Sequence, residues 1–197
     1  MLLRVSPSLI NSLSYALNAD DDRTDKAMED FLAYLRREPR PTTAAQKNGI
    51  AFEAMVNRCI LSNGRELPEN SVARVFGQRL KGASLQVECT KNIEVRGQHF
   101  YLKGIIDALR AGIIYDIKYT SKYEYGKFAD SAQHPAYMEL LPEAMRFDYY
   151  ITDGKYAYME RYRRGDFMPI HEHIAQFCKE LRGLDLYDDY IKHWRMD

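Results

Sequence analysis

The sequence predicts an α/β protein in which a central mixed β-sheet is flanked by helices. Two groups of segments alternate between apolar and polar side chains, as half-buried strands do: 84–95, 99–109 and 113–118, then 146–152 and 155–163. Apolar residues at helical spacing precede the first group, separate the two groups and follow the second. Helices and strands therefore share the chain, with three strands in the first group and two in the second.

The length and charge of the chain set its domain organisation and the kind of partner it can attract. It has 197 residues, 46% of them hydrophobic, which suits one well-buried domain and is short for two. We expect a single domain over 1–197, with N-terminal helices over 1–40, a core over 45–162 and a C-terminal helix over 169–195. The 28 basic and 28 acidic residues balance. Binding to nucleic acid must then come from a local basic groove and a metal, because the net charge gives no global attraction.

Cysteine usage and hydropathy predict the cellular location. Cys59, Cys89 and Cys178 lack the paired spacing of a zinc site or a disulfide framework. Free buried thiols are typical of the reducing cytoplasm, which is the predicted location. No run approaches the roughly 18 apolar residues of a membrane span, and the amino terminus has no signal-peptide pattern. We therefore expect a soluble protein with no membrane partner.

Three helices are predicted before the first strand group, over residues 8–17, 24–37 and 46–61. Ser8 and Thr24 are suitable N-caps for the first two. Asp20-Asp21-Asp22 could be taken for a metal cluster, but a solvated loop that caps the second helix is the better interpretation. Asn63-Gly64 ends the third helix, and a short fourth one is predicted over 69–79.

The second strand group forms a hairpin around Asp153-Gly154, a dipeptide typical of two-residue turns. A helix over 130–141 precedes this hairpin, with Pro135 in its early part, where proline is best tolerated. A helix over 169–195 follows it and carries an apolar stripe. These elements complete the predicted sheet and its helical cover.

Chemistry-bearing residues are concentrated in the segment 101–120, which is predicted to be two strands folded back on each other. Arg110-Ala111-Gly112 supplies the tight connection, and Asp107 ends the apolar run of the first strand. In the second strand, alternation places Asp116 and Lys118 on the same face. Pairing across the hairpin would set Asp107 beside them, so two acids and a lysine come together.

Two carboxylates beside a lysine suit phosphodiester hydrolysis. Mg²⁺ commonly binds one or two carboxylates together with phosphate oxygens and water. A lysine beside that ion can orient or help deprotonate a water, or offset charge building on a phosphate. An acid-x-lysine tripeptide alone is common, and this chain has a second copy, Asp153-Gly154-Lys155, at the predicted hairpin turn.

Two further motifs flank these strands. Upstream, Gly49 precedes Glu53 by four residues on the third helix, although a surface glutamate there would need no special explanation. Downstream, Gln133 and Tyr137 share one helix face because four residues separate them. Between the second strand and the helix that carries Gln133, basic and aromatic residues interleave over 120–128. That segment fits a loop that binds phosphates and stacks bases, and it fits a partly buried aromatic loop equally well.

Taken together, the motifs resemble the PD-(D/E)XK nuclease superfamily, in the branch that contains RecB-type nuclease domains, phage exonucleases and CRISPR-associated nucleases. The matching positions, in the family's order, are Gly49 to Glu53, Asp107, Asp116-Ile117-Lys118 and Gln133 to Tyr137. The resemblance covers roughly residues 45–160. It implies a restriction-endonuclease-like core of helix, three strands, helix and strand. Relatives with an iron–sulfur cluster use four cysteines, so no cluster is expected.

The resemblance implies a metal site. Glu53 would be a ligand from the helix, at a position where many relatives have histidine. Asp107 and Asp116 would be the central ligands to Mg²⁺ or Mn²⁺, together with the backbone carbonyl of Ile117. Ile106-Asp107 stands where the superfamily nominally has Pro-Asp, a change that is common in this branch.

The resemblance also implies a catalytic set and a function. Lys118 would position the attacking water, while Gln133 and Tyr137 would steady the active site and the nucleic-acid backbone. The implied activity is a metal-dependent deoxyribonuclease, specifically an exonuclease in DNA recombination, repair or phage DNA processing, acting on single- or double-stranded DNA. Three alternatives stay open: an endonuclease, a non-catalytic nucleic-acid-binding module, and a nuclease subunit that needs a helicase or annealing partner.

Overall fold

A computed structural model describes residues 1–20, 23–63, 67–68 and 71–196. In chain order its elements are β1 Leu2–Val5, α1 Pro7–Leu17, α2 Thr24–Leu35, α3 Ala44–Leu61, α4 Val72–Arg79, β2 Ser84–Val95, β3 Gln98–Arg110, β4 Ile113–Tyr119, α5 Gln133–Leu140, β5 Arg146–Thr152, β6 Ala157–Arg163, α6 Ile170–Gly183, α7 Tyr187–Trp194 and β7 Arg195–Met196. They confirm the predicted fold class. The seven strands of the described residues form one mixed sheet, which is not closed into a barrel.

The sheet has the order β6-β5-β4-β3-β1-β7, and β2 joins it by pairing with β3. β2 runs antiparallel to β3 along nearly its whole length. The other edge of β3 pairs with β1 over 99–102 and with β4 over 108–110. Between these two registers, the stretch 103–107 of β3 has no strand partner on this edge within the described chain. On this edge the five residues that end at Asp107 are paired with no strand of the described chain, and we call this stretch the opening of the sheet.

Buried side chains form one apolar cluster on each face of the sheet. The larger cluster packs α1, α2, α5, α6 and α7 against strands β1 to β5. The smaller cluster packs α3 and α4 against β3, β4 and β5. In β4, Ile114 belongs to the larger cluster, whereas Tyr115 and Ile117 belong to the smaller one. This alternation confirms that both faces of β4 are buried and that helices cover the sheet on two sides.

Two local features fix the elements that carry the site. Ala111 and Gly112 join β3 to β4 with φ angles of 50° and 71°. Such a turn suits the right-handed twist of a hairpin and pairs Ala108 with Tyr115. α3, which packs in the smaller cluster, begins with a capping box in which Thr43 and Gln46 satisfy each other's backbone N–H groups. The register of the hairpin and the start of α3 are thereby set by local chemistry.

The structure differs from the sequence-based prediction at both ends of the chain. The helix predicted over 169–195 is interrupted after Gly183, because Asp185 adopts a left-handed φ of 57° that ends α6. The short strands β1 and β7 were not predicted. The first helix is capped by Ser6 instead of Ser8, with Pro7 in its first turn.

Parts of three predicted features lie outside the described residues. They are Asp21-Asp22 of the acidic loop, Gly64 after the third helix, and Glu69-Asn70 at the start of the fourth. Within the described chain, α4 begins after Ser71, whose hydroxyl accepts the Arg74 N–H.

None of the helices among the described residues is long and apolar enough to cross a membrane.

α5 lies against the open stretch of β3, and a glycine makes this approach possible. The backbone of Gly104 has no positive φ, but a Cβ at this position would overlap the Tyr137 ring and lie 3.1 Å from Leu140 Cδ1. Tyr137 is buried, and its hydroxyl donates to the Ile105 carbonyl at 2.7 Å. The tyrosine thus satisfies a strand carbonyl where the sheet has opened.

We predict that Gly104→Ala lowers the free energy of unfolding by about 1–3 kcal/mol, because the new methyl group displaces the Tyr137 ring from a close-packed site. Urea unfolding measures the change. Gly49→Ala is the matched control, since a Cβ there meets no atom within 4 Å and the position is inside α3. That control should gain about 0.5–1 kcal/mol. Equal midpoints for Gly104→Ala and the wild type would contradict the packing argument.

Candidate active site

The β3–β4 hairpin brings Asp107 and Asp116 together. Because Ala108 pairs with Tyr115, the next residues in register are Asp107 and Asp116. The ladder is not continued there. Instead, Asp107 Oδ2 accepts the Ile117 N–H at 2.8 Å. A side-chain carboxylate thereby takes the place of a backbone partner as the two strands diverge.

Asp116 is the most enclosed acid of the site, with 0% of its surface exposed. Its Oδ1 accepts a hydrogen bond from Gln133 Nε2 at 2.5 Å. Its Oδ2 forms an ion pair with Lys118 Nζ at 2.7 Å. Each oxygen of this buried carboxylate therefore faces one polar group, an amide at Oδ1 and an ammonium at Oδ2.

Burial raises the pKa of both aspartates, and at Asp107 the neighbouring negative charges add to the shift. The pKa of Asp107 is raised to about 8, mainly by burial and then by the charges of Asp116 and Glu53. The Ile117 N–H and Lys118 oppose this shift. Burial also raises the pKa of Asp116, against the opposing effect of Lys118. A site that destabilises its own negative charges is prepared to receive a cation.

Glu53 reaches the site from α3, on the opposite side of the hairpin from α5. It is partly buried, and burial raises the pKa of its carboxyl more than the Asn57 hydrogen bond lowers it. The charges of Asp116 and Lys118 also act on it. Its Oε1 accepts from Gln86 Nε2 at 2.5 Å. Glu53 is thus held by a neutral amide.

Gln86 is a site residue that sequence reasoning missed. It lies in β2, where Leu85 pairs with Ala108 and Val87 with Ile106, so that Gln86 faces Asp107 in register. Its φ of 51° is left-handed, which is uncommon for a glutamine and is found more often at functional sites. A polar residue in an alternating strand carries no motif, so only the backbone conformation marks this position.

α5 supplies the remaining two predicted residues. Gln133 begins the helix and donates directly to Asp116, whereas Tyr137, one turn later, donates to the Ile105 carbonyl. Their shared helix face is confirmed by these contacts. The glutamine orients a carboxylate of the site, and the tyrosine holds the strand that leads to Asp107.

The acids suit a cation that needs few protein ligands. Within the described ranges, no three His, Cys, Asp or Glu side chains converge closely enough to form a metal site by themselves. Asp107 and Asp116 form a pair, with Glu53 bonded to Gln86 instead. Mg²⁺ and ions like it take one or two carboxylates and complete their shell with water and phosphate oxygens. The pair of Asp107 and Asp116 fits that requirement.

Comparison with known proteins gives the fold a precedent. No protein-family profile matches the sequence, and no curated protein matches it. Among solved structures, the crystal structure of SSO0001 has a TM-score of 0.56 and 14% identity, covering 92% of this chain and 76% of that one. The crystal structure of LHK-Exo in complex with dAMP has a TM-score of 0.43 and 15% identity, covering 95% and 89%. The likeness to SSO0001 shows a shared fold.

The fold and the site together define an α/β protein in which a buried carboxylate, a half-buried carboxylate and an adjacent lysine meet at the opening of the sheet. Two of its predicted residues, Lys118 and Gln133, contact Asp116 directly. Asp107 accepts a hydrogen bond from the N–H of Ile117, the residue that follows Asp116 in β4. Glu53 approaches from α3 but makes its hydrogen bonds elsewhere.

We predict that Asp107→Asn stabilises the metal-free protein at pH 8 by up to about 5 kcal/mol, which is about four pKa units at about 1.4 kcal/mol each. The pKa of Asp107 is about 8 in the folded protein and about 4 in the unfolded chain. The folded state therefore keeps a proton that the unfolded state has lost, and stability falls as the pH rises from about 4 to 8. Asparagine keeps an oxygen for the Ile117 N–H and removes this dependence. Urea unfolding in EDTA across this range measures it.

The matched control is Asp153→Asn, at an acid whose pKa is lowered by the Tyr156 and Lys155 N–H groups. The stabilising effect of that carboxylate is fully present above about pH 4 and is lost only at lower pH, so the stability difference between this control and the wild type should not change between about pH 4 and 8. An Asp107→Asn variant that is less stable than the wild type throughout the range would contradict the repulsion assigned to the pair.

Proposed function

We propose that the protein is a metal-dependent nuclease that hydrolyses phosphodiester bonds. The observation that carries this proposal is the environment of Asp116: a fully buried carboxylate beside Asp107, with its Oδ2 2.7 Å from the Lys118 ammonium. Placing a buried acid next to a second, half-buried acid is unfavourable, so their retention at an opening of the sheet supports a role in chemistry.

Each residue has a role in the proposed reaction. Asp107 and Asp116, with the carbonyl of Ile117, would hold Mg²⁺ or Mn²⁺, which supplies a Lewis acid for the phosphate and lowers the pKa of a water. Lys118 orients the attacking water and offsets the charge that builds on the phosphate. Gln133 keeps Asp116 in place by its hydrogen bond to Oδ1.

The finer assignment is to DNA and to exonuclease action in recombination, repair or phage DNA processing. It is supported by the resemblance of the ordered motifs, above all the pair Gln133 and Tyr137 on one helix face. The intact set Asp107, Asp116 and Lys118 argues against a non-catalytic binding module. A nuclease subunit that works only with a helicase or annealing partner would keep the same site and fail in isolation.

We predict that Lys118→Ala lowers the rate of DNA cleavage by about 10²- to 10⁴-fold, because the attacking water loses its orienting cation. The assay uses end-labelled linear and circular DNA, single- and double-stranded, with Mg²⁺ or Mn²⁺. Lys155→Ala is the matched control, since it removes the lysine of the second acid-x-lysine tripeptide and should leave cleavage unchanged. Circular dichroism establishes that both variants fold. Full activity in Lys118→Ala would refute the assigned role.

The same assay separates the subclasses of nuclease. Loss of linear DNA with circles intact identifies an exonuclease, and cutting of circles identifies an endonuclease. A folded protein that binds Mn²⁺ but cuts no substrate would overturn the stand-alone enzyme. The partner-dependent subunit or the binding module would then take its place.

Metal removal gives a second, independent prediction. EDTA should abolish cleavage, and added Mg²⁺ or Mn²⁺ should restore it, because the paired acids cannot polarise a phosphate without a cation. Titration calorimetry should show Mn²⁺ binding that is weakened about tenfold or more in Asp116→Asn, which loses one anionic ligand. Undiminished cleavage in EDTA would show that the carboxylates act without metal.

A further inference from the structure

The loop between β4 and α5, residues 120–132, is fastened to the candidate active site at both ends. It begins two residues after Lys118 and ends immediately before Gln133. Both of these residues contact Asp116. Whatever this β4–α5 loop presents to solvent is therefore held close to the paired carboxylates.

A buried acid on β6 anchors the middle of the loop. Glu160 is only 2% exposed, and its Oε1 accepts from the Tyr123 hydroxyl at 2.9 Å and from the Gly126 N–H at 3.0 Å. Its Oε2 accepts from the Tyr162 hydroxyl at 2.6 Å. Hydrogen bonds to a buried charged group are among the strongest in proteins. Hydrogen bonds to Glu160 on β6 thus fix the loop tip next to Gly126.

The three aromatic residues of the loop divide into two that are packed and one that is not. Tyr123 packs on Tyr158 with ring centroids 4.5 Å apart, and Phe128 stacks on Tyr149 at 5.0 Å. Tyr125, between them, is 89% exposed, the largest fraction among the exposed large hydrophobic residues of the described chain. An apolar ring on an anchored loop presents its face to solvent at little cost in ordering entropy on binding.

Lysines flank this ring. Lys122 forms an ion pair with Glu124 at 2.6 Å. Lys127 Nζ donates to the uncharged Thr120 Oγ1 at 2.6 Å and to the Lys122 carbonyl at 2.8 Å. Lys127 thereby braces the loop and keeps a positive charge near the ring, where a phosphate can approach it. An open groove of about 450 Å³ is lined by Lys122, Glu124, Tyr125, Gly126 and Lys127.

We propose that Tyr125 is a stacking platform for an unpaired base of a single DNA strand, with Lys127 beside the adjoining phosphate. This inference rests on the proposed nuclease function and specifies its substrate. A base inside a duplex has both faces covered by its neighbours, whereas an unpaired base offers a face to an exposed ring. Because the anchored loop holds Tyr125 in a fixed position relative to Lys118, the base bound at Tyr125 would determine which phosphate of the strand reaches the carboxylates.

The test measures binding apart from cleavage. All proteins carry Asp116→Asn, which removes one negative charge from the site and blocks hydrolysis, and the buffer contains EDTA. Fluorescence anisotropy compares a labelled oligothymidylate, an abasic strand of equal length and a DNA hairpin whose paired strands are joined by a linker without bases. The variants are Tyr125→Ala and Tyr125→Phe, with Tyr15→Ala as the control at a tyrosine of α1 that is 59% exposed.

We expect oligothymidylate to bind about tenfold more tightly than the abasic strand, within the range that one base–aromatic stack provides. Tyr125→Ala should remove this difference, while Tyr125→Phe and Tyr15→Ala should retain it. Hairpin binding should not respond to any of the three. The proposal is overturned by equal binding of the two strands, by no binding of either, by Tyr125→Ala behaving like Tyr15→Ala, or by an equal loss of hairpin affinity.

Failure of this inference is distinguishable from failure of the proposed function. Cleavage that depends on metal and Lys118, together with binding that ignores the bases, would overturn the stacking platform alone. Base-dependent binding that requires Tyr125, in a protein that cuts no DNA with Mg²⁺ or Mn²⁺, would overturn the nuclease and leave a single-strand-binding protein.

Discussion

The charge buried at Asp116 is the constraint on which the rest of this structure depends. A carboxylate without solvent needs partners, and those of Asp116 come from two elements: Lys118 two residues along β4, and Gln133 at the start of α5. The second contact requires α5 to lie close to the sheet. That approach is possible because Gly104 leaves room for the Tyr137 ring. One buried acid thus determines how a helix meets the sheet.

The opening of β3 is the backbone counterpart of this constraint. Where β3 and β4 diverge, side chains take over the hydrogen bonds that a ladder would make: Asp107 accepts from the Ile117 N–H, and the Tyr137 hydroxyl donates to the Ile105 carbonyl. The divergence creates the space at the site without leaving those backbone groups unsatisfied. It also encloses Asp107 among like charges, and burial first, then the charges of Asp116 and Glu53, explain why the pKa of Asp107 is so far above its ordinary value. Stability is given up at the place where chemistry is proposed.

Much of this arrangement could be predicted from the sequence, and the remainder has identifiable reasons. Alternation predicted β2 with its observed bounds and β4 to within one residue, and the Ala111-Gly112 turn fixed the register that pairs the two acids. Short strands such as β1 carry too few residues for a pattern. The role of Gln86 depends on a left-handed backbone and on α3 packing across the hairpin, neither of which a single sequence encodes locally.

Gln86 also explains why the third predicted ligand is near the pair but not part of it. Burial and the charge of Asp116 both disfavour an ionised Glu53, so a third carboxylate against the pair would add repulsion with no cation to offset it. A neutral amide opposite Asp107 holds Glu53 without adding charge. In the proposed nuclease, Glu53 would be attracted toward the site once Asp107 and Asp116 held a divalent cation, because the cation would supply positive charge there. Electrostatics therefore favours the observed arrangement, in which Asp107 and Asp116 are paired and Glu53 is held apart by Gln86, as long as no divalent cation is bound.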